Sequence, residues 1–427
     1  MSILKHTFTE MRRQPLISAV TLTGTALAIF LIMTVVMIQD VNVMPFAPES
    51  NRARFLHARF MNISNIGSDS GSSGNMSYQT AKKLYGSLES AEAVSIHKAS
   101  PDAATAGIAG EAHVDVDKLE TDGEFWKVFD FTFISGKPYG NEETGGNGKS
   151  VVLSESVARD IFGTVDVTGR EIFIDHFTPY TVCGVVRDVP MMASSAYAGI
   201  WIPLTKGTVE SSWGDYFGPV CATILAPSSD NFSLIRAEID RRIQSFNTEL
   251  GVNGKELIHH GSPYTQEKLQ YVKSSNIDPE VFETPEKRTR MLVYTILLLI
   301  PAINLSSMTQ SRLRRRVSEL GVRRAFGCTR RRLMTEILNE NLLMTIIGSL
   351  IGLLAGIICV WSMADTLFAD QWKTGTSANL TPGMLIQWPI FFKATIFCFI
   401  LNILSCGIPA WRAAMMKPTE AIGGLQK

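Results

Sequence analysis

The sequence predicts a membrane protein with four transmembrane α-helices and a large α+β extracytoplasmic domain inserted between spans 1 and 2. Three observations predict it. Four apolar runs interrupt the chain: 17–38 and 291–311 carry no charge, and 342–364 and 394–411 are equally apolar. A bilayer-spanning helix needs about 20 mostly apolar residues, and each run meets or approaches that length. The stretch between the first two runs is soluble in composition. Finally, nine arginines crowd into the segment between the second and third runs: Arg312, Arg314, Arg315, Arg316, Arg323, Arg324, Arg330, Arg331 and Arg332.

The first run follows Lys5, Arg12 and Arg13, as a secretory signal would. It is longer than a signal core, however, and continues through Met33–Ile38 with no A-x-A site at its end, so it reads as an uncleaved anchor. Lys and Arg near span ends collect on the cytoplasmic side. The arginine segment, the basic N-terminus and the tail with Arg412, Lys417 and Lys427 share one side when there are four spans. Both termini are then cytoplasmic. The plan is a cytoplasmic N-terminus (1–16), span 1 (17–39), the outer domain (40–288), span 2 (289–310), a cytoplasmic segment (311–340), span 3 (341–364), an outer loop (365–389), span 4 (390–410) and a cytoplasmic tail (411–427).

Within the outer domain, 62–77 is rich in Gly and Ser and reads as a mobile loop. An amphipathic helix is expected over 78–88 and strands over 93–99 and 124–139. Residues 150–163 switch from an apolar strand to a short helix, with Ser154 a suitable N-cap. A hairpin is expected over 171–189 around a Thr-Pro turn, strands near 201–205 and 219–227, and a helix over 231–250. A further helix should start near Thr284, with Pro285 close to its N1 position, and run into span 2.

Enzyme chemistry finds no support. GGNGKS (145–150) lacks the first glycine of a phosphate loop, since position 143 is Glu, and a strand rather than a helix follows. SDSG (68–71) is a Gly/Ser linker. His6, His57, His97, His113, His176, His259 and His260 form no metal-ligand spacing. No catalytic, cofactor or metal site is therefore expected in the chain. Cys183 and Cys221 share the outer domain; a disulfide is one possibility, and two thiols buried on strands is the favoured one.

Three features remain. Gly348, Gly352 and Gly356 lie on one face of span 3 and suit a close helix–helix seam, within the subunit or across a dimer. Pro301 and Asn304 in span 2 suggest a kink and a polar contact with another helix, as a relay or as static packing. In the arginine segment, Leu320, Gly321, Val322, Ala325 and Phe326 alternate with the charges, and Gly327-Cys328-Thr329 separates two helices. Positive-inside topology and lipid headgroups explain the charge. They do not explain that small apolar side, which suits a partner protein better than nucleic acid.

These residues resemble the permease subunits of the MacB/FtsX-like class of ABC transporters. Asn304, Glu319, Gly321, Arg323, Arg324, Ala325 and Gly327 match the family's segment after span 2. Pro409, Ala410, Arg412, Ala413, Ala414, Pro418, Glu420 and Ala421 match its C-terminal motif. GEFWKVFDFTFISGKPY, VVLSESVARDIFG and YTVCGVVRDV are similar to its periplasmic core domain. The resemblance implies a dimer with a second copy or a paralogue, in the bacterial inner membrane. A cytoplasmic ABC ATPase dimer carrying ATP and magnesium would dock on Glu319 to Gly327 with Arg330 and Arg331. An envelope adaptor or a substrate would meet the outer domain, with membrane lipids around the spans and no nucleic acid. Chains of this class serve export, efflux or lipoprotein release. The competing reading is a non-transporting envelope sensor, scaffold or cell-wall hydrolase regulator.

Overall fold

Two long helices carry the first and third apolar runs. In a computed structural model, residues 15–40, 43–67, 70–146, 148–258, 262–272, 283–293 and 326–368 are described, with isolated positions from 295 to 322 and from 388 to 400. Helix α1 spans Pro15–Asp40. The chain divides into two units. One comprises Met1–Asp40, Lys287–Met363 and Thr381–Lys427; the other comprises Val41–Glu286 and Ala364–Leu380.

In the second unit the chain builds fourteen strands among the described residues. These are β1 (Phe55–Ala58), β2 (Met61–Asn65), β3 (Gly71–Gly74), β4 (Ala93–Lys98), β5 (Asp102–Gly107), β6 (Val114–Thr121), β7 (Phe133–Gly136), β8 (Ser150–Ser154), β9 (Glu171–Ile174), β10 (Thr178–Val186), β11 (Ile200–Pro203), β12 (Val220–Leu225), β13 (Lys255–Ile258) and β14 (Tyr264–Thr265). The helices between them are α2 (Tyr78–Tyr85), α3 (Phe125–Val128), α4 (Glu155–Phe162), α5 (Lys206–Glu210), α6 (Phe232–Gly251) and α7 (Gln266–Leu269).

Strand pairing makes two lobes. β11 pairs parallel with β6 and antiparallel with β8, which closes β8, β10, β9, β5, β6 and β11 into a ring. Val151, Leu153, Ile172, Ile174, Val182, Val185, Ile200 and Ile202 fill its interior, and α4 adds Val157 and Ala158. Ser154 accepts from Val157 N and caps α4, as its place in the sequence predicts. From the end of β6 the sheet continues through β4, β12, β1 and β14. Every residue of β12 is buried, so it is covered on both faces. Val220, Ala222 and Ile224 meet Ile235, Ile239, Ile243, Phe246 and Leu250 of α6, whose spacing is that of one helical face.

Three expectations are corrected. Residues 62–77 are not simply a loop: β3, written GSSG, pairs antiparallel with β2, which pairs with β13. The aromatic run expected to be a strand forms the short helix α3 before β7, because Phe125, Val128 and Phe129 turn together into the core. The hairpin turn is Asp175–Phe177, not Thr178-Pro179, which already pair with Ile174 and Phe173. Asp175 and His176 take left-handed backbone angles there, with φ of 54° and 67°.

In the first unit, α8 (Arg330–Ser362) runs 33 residues without interruption, about 50 Å at the α-helical rise. A short helix, α9 (Ala364–Phe368), follows it in the second unit. Among the described residues, Leu342–Ser362 is the one helical stretch long and apolar enough to cross a membrane, and Leu22–Ile38 is a shorter apolar one. Residues 283–293 are helical. The other two expected spans lie largely outside the described residues.

Candidate functional site

A bilayer offers helices little hydrophobic reason to associate, so a helix pair inside it relies on close packing. α8 and α1 pack that way. A Cβ placed on Gly348 would meet Thr25 Cβ and Cγ2 at 2.8 Å, and one on Gly352 would meet Ala26 O at 2.5 Å and Ile29 Cβ at 2.9 Å. At Gly356 the nearest atom, Thr34 Oγ1, is 3.6 Å away. The seam is therefore tightest at Gly348 and Gly352 and opens toward Gly356. Thr25, Ala28, Ile29, Ile32, Met33 and Met37 of α1 are buried, as are Met344, Thr345, Ser349 and Leu353 of α8. Ile346, Leu350, Ile351, Leu354 and Ile358 are exposed on the other side of α8. The seam is thus within the chain, one of the two arrangements the glycine spacing allowed.

At its first residue α8 has a defined start. Gly327 has φ +90°, a left-handed conformation that suits glycine. Thr329 caps the helix by accepting from Arg332 N at 3.4 Å. Phe326 N donates to Val322 O at 3.1 Å, closing the turn before the break. Phe326 is 88% exposed and Val322 42%. The start of α8 thus offers an exposed aromatic ring beside the exposed Arg331 and Arg332. Arg330 is helical. Glu319, Leu320, Gly321, Arg323, Arg324 and Ala325 lie outside the described residues, as do Pro301, Asn304, Pro409, Arg412, Ala413, Pro418 and Glu420.

Opposite residues of β1, β12 and β4 build a buried polar layer in the outer domain. Cys221 faces His97, and Thr223 faces His57. Thr223 Oγ1 lies 3.0 Å from His97 Nε2 and 3.4 Å from His57 Nδ1. Burial lowers His57 to a pKa of about 3 and His97 to about 4, so both are neutral imidazoles at pH 7. Burial likewise raises the Cys221 thiol to about 12, and Cys183 on β10 is raised to about 12. Neither thiol is in a disulfide. Nearby, Asp122 accepts from Ser95 Oγ at 2.8 Å, Ile96 N at 2.7 Å and Phe125 N at 3.0 Å. Burial still outweighs those three donors and raises its pKa to about 7.

These groups are packed into strand centres and against Phe55, Phe125 and Phe129. Among the described residues no group of three or more His, Cys, Asp or Glu could hold a metal ion. Gly145 N donates to Leu204 O, and Lys149 leads into β8, so the GGNGKS loop precedes a strand.

The family model of the MacB-like periplasmic core domain matches residues 18–242, and that of the FtsX-like permease C-terminal region matches residues 291–418. The macrolide export ATP-binding/permease protein MacB of Escherichia coli K12 is 23% identical over 309 residues, which cover 70% of this chain and 42% of MacB. This chain therefore spans about two fifths of the length of the curated MacB relatives it matches. The uncharacterized ABC transporter permease YknZ of Bacillus subtilis is 21% identical over 349 residues, covering 80% of this chain and 75% of YknZ. Among solved structures, the periplasmic region of MacB from Actinobacillus actinomycetemcomitans matches with a TM-score of 0.34 and 15% identity, covering 50% of this chain and 92% of that one.

Proposed function

The chain belongs to the MacB/FtsX-like family of ABC transporter permeases, and we propose that it is a membrane subunit that converts ATP hydrolysis by a separate cytoplasmic ATPase into movement of its outer domain. In this reading it sits in the bacterial inner membrane with four spans and both termini inside. It works with a second permease copy or a paralogue. The output is export, efflux or lipoprotein release.

The observation that carries the proposal is the continuity of α8. A helix that begins at the Gly327-Cys328-Thr329 break, runs unbroken from Arg330 to Ser362 and closes on α1 through glycines is a stiff lever. Its N-terminal end carries the exposed Phe326 and Arg331. Closure of an ATPase dimer against Glu319 to Arg331 would push that end. The seam would hand the displacement to α1, and α1 is continuous in sequence with the outer domain from Val41 onward. Pro301 and Asn304 would act in the same relay from span 2, and the Pro409 to Glu420 motif would flank it in the tail.

Mild-detergent purification from native membranes tests the partner: a P-loop ATPase should co-purify in stoichiometric amount, and its absence sinks the proposal. Glu319→Lys tests the docking surface. It should abolish permease-stimulated ATP hydrolysis while leaving membrane insertion intact, and persistence of stimulation would remove Glu319 from the interface.

A further inference from the structure

α1 ends at Asp40, and within a few residues the chain enters a buried polar anchor. Glu49 and Arg52 form an ion pair, Nε to Oε2 at 2.7 Å, and both side chains are 0% exposed. Arg52 also donates to Met44 O at 2.9 Å and to Met192 O, and its guanidinium lies 4.1 Å from the Phe46 ring centroid. The other oxygen of Glu49 accepts from Ser195 N at 3.0 Å and Ala196 N at 3.2 Å. One charge pair thus holds residues 44–52 to a loop some 140 residues further along the chain.

That loop leads directly into β11. Trp201 of β11, fully buried, donates its indole N–H to Ala196 O at 3.1 Å. β11 is the strand that pairs with both β6 and β8 and closes the ring. A buried ion pair is a costly way to hold a loop, because apolar side chains of similar volume would pack there without desolvating two charges. What the pair adds is direction: three hydrogen bonds, to Met192 O and from Ser195 N and Ala196 N, fix the connector in one orientation against the 192–196 loop, whereas apolar packing allows sliding.

We infer that the Glu49–Arg52 pair is the fastening point through which movement of α1 enters the outer domain, and that the 192–196 loop and β11 receive it first. This rests on the mechanotransmission reading above. Glu49 and Arg52 are positioning residues, and the pair stays closed throughout the cycle.

The test uses the full permease reconstituted in nanodiscs with the ATPase that co-purifies with it. Nitroxides are placed at Phe177→Cys in the outer domain and Trp361→Cys on α8, with native cysteines replaced. The unsubstituted pair should show an ATP-dependent change in label distance. If it shows none, the mechanotransmission reading itself fails, separately from this inference. In Arg52→Met and Glu49→Gln the ATP-dependent change should collapse while stimulated ATP hydrolysis continues. A change of unaltered amplitude in either folded variant overturns the inference.

Hydrogen exchange supplies a second test, whose wild-type arm needs no anchor variant. The Ser195 and Ala196 amides should stay protected during ATP turnover, and in Arg52→Met they should exchange about 10- to 100-fold faster as their charged acceptor loses its place. Loss of their protection in the wild type during turnover would mean that the anchor opens, and would refute it as a fastening point.

Discussion

The α1–α8 seam and the β1–β12–β4 layer of the outer domain are both closely packed, but different physics packs them. The seam is made of missing side chains: Gly348 and Gly352 let the α1 backbone come as near as a Cβ would reach. The outer layer is made of side chains that have given up water. Two neutral histidines, a thiol and a carboxyl of raised pKa lie between strands and aromatic rings. The seam should therefore respond to volume and be indifferent to pH. The outer layer should respond to charge and to cavities. Perturbations that separate the two responses test that contrast, and through it the idea that one region transmits while the other receives.

The largest effect is expected where the outer domain has most to lose. Trp201 is fully buried, meets Trp126 and Phe131 edge-on, and donates to Ala196 O. Trp201→Ala should cost about 3–5 kcal/mol, read as a lower denaturation midpoint of the outer domain. The wild-type seam should be unaffected, as judged by cross-linking of single cysteines in α1 and α8.

Next comes pH. His57 and His97 have folded pKa values of about 3 and about 4, below the ordinary 6.5. The unfolded chain takes up those protons first, so their contribution is fully present above pH 6.5 and is lost as pH falls from 6.5 toward those values. For His97 alone the shift corresponds to a loss of the order of 3 kcal/mol. Asp122 has the opposite sign. Its folded pKa of about 7 lies above the ordinary 3.8, so the folded state binds the proton first, and stability is gained as pH falls from 7 to 3.8. Between pH 6.5 and 4 Asp122 offsets only one of the two histidines, so the wild-type outer domain should lose stability toward acid with the slope of about one proton. Asp122→Asn removes the offset and should steepen the acid loss, whereas His97→Gln should flatten it. Melting temperatures at pH 7, 5.5 and 4 check both slopes. Equal slopes in all three proteins would show that the layer does not titrate as its burial requires.

The seam gives the third effect. Gly352→Leu forces a side chain into the space of Ala26 O and Ile29, and overpacking costs about 1–3 kcal/mol. Gly356→Ala has 3.6 Å to its nearest neighbour and should be tolerated. The expected outcome is that Gly352→Leu uncouples ATP hydrolysis from outer-domain movement and leaves the outer-domain denaturation midpoint unchanged, while Gly356→Ala does neither. If Gly352→Leu transmits normally, the seam does not belong to the relay.

Much of this contrast can be read from the residues, and the exceptions have physical causes. The spacing of Gly348, Gly352 and Gly356 identifies the close face of α8 because glycine acts through what it lacks, which one residue type states unambiguously. Ser154 at the start of α4 is equally legible, since the capping hydroxyl belongs to the local chain. β3 is not, because GSSG has no apolar side chain to declare a face and becomes a strand only through the backbone of β2. Nor is α3, whose aromatic run suits a strand until Phe125 and Phe129 find a common core. Glu49 and Arg52 resemble ordinary surface charges in PFAPESNRARF. Their burial depends on a loop some 140 residues further on, which no local pattern contains. The matched residues from Glu319 to Ala325, Val322 apart, lie outside the described residues and rest on the family resemblance.

The smallest effect offers the closest comparison, because the same device occurs in both regions. Thr329 caps α8 by accepting from Arg332 N at 3.4 Å, and Ser154 caps α4 by accepting from Val157 N at 3.4 Å. Replacing either by Ala should cost its helix about 1 kcal/mol. The consequences should nevertheless diverge. Ser154 sits at the end of β8 inside the closed ring, so Ser154→Ala should lower the outer-domain denaturation midpoint and leave stimulated ATP hydrolysis unchanged. Thr329 is exposed at the start of α8. Thr329→Ala should leave that midpoint untouched and instead let the first turn of α8 fray, so that the stiff end the ATPase would push against becomes soft. Stimulated hydrolysis should then fall severalfold, and Thr329→Ser, which keeps the accepting hydroxyl, should restore it. If Ala and Ser behave alike at position 329, the start of α8 is not where force enters, and the receiving end of the relay must be sought in the segment before Val322.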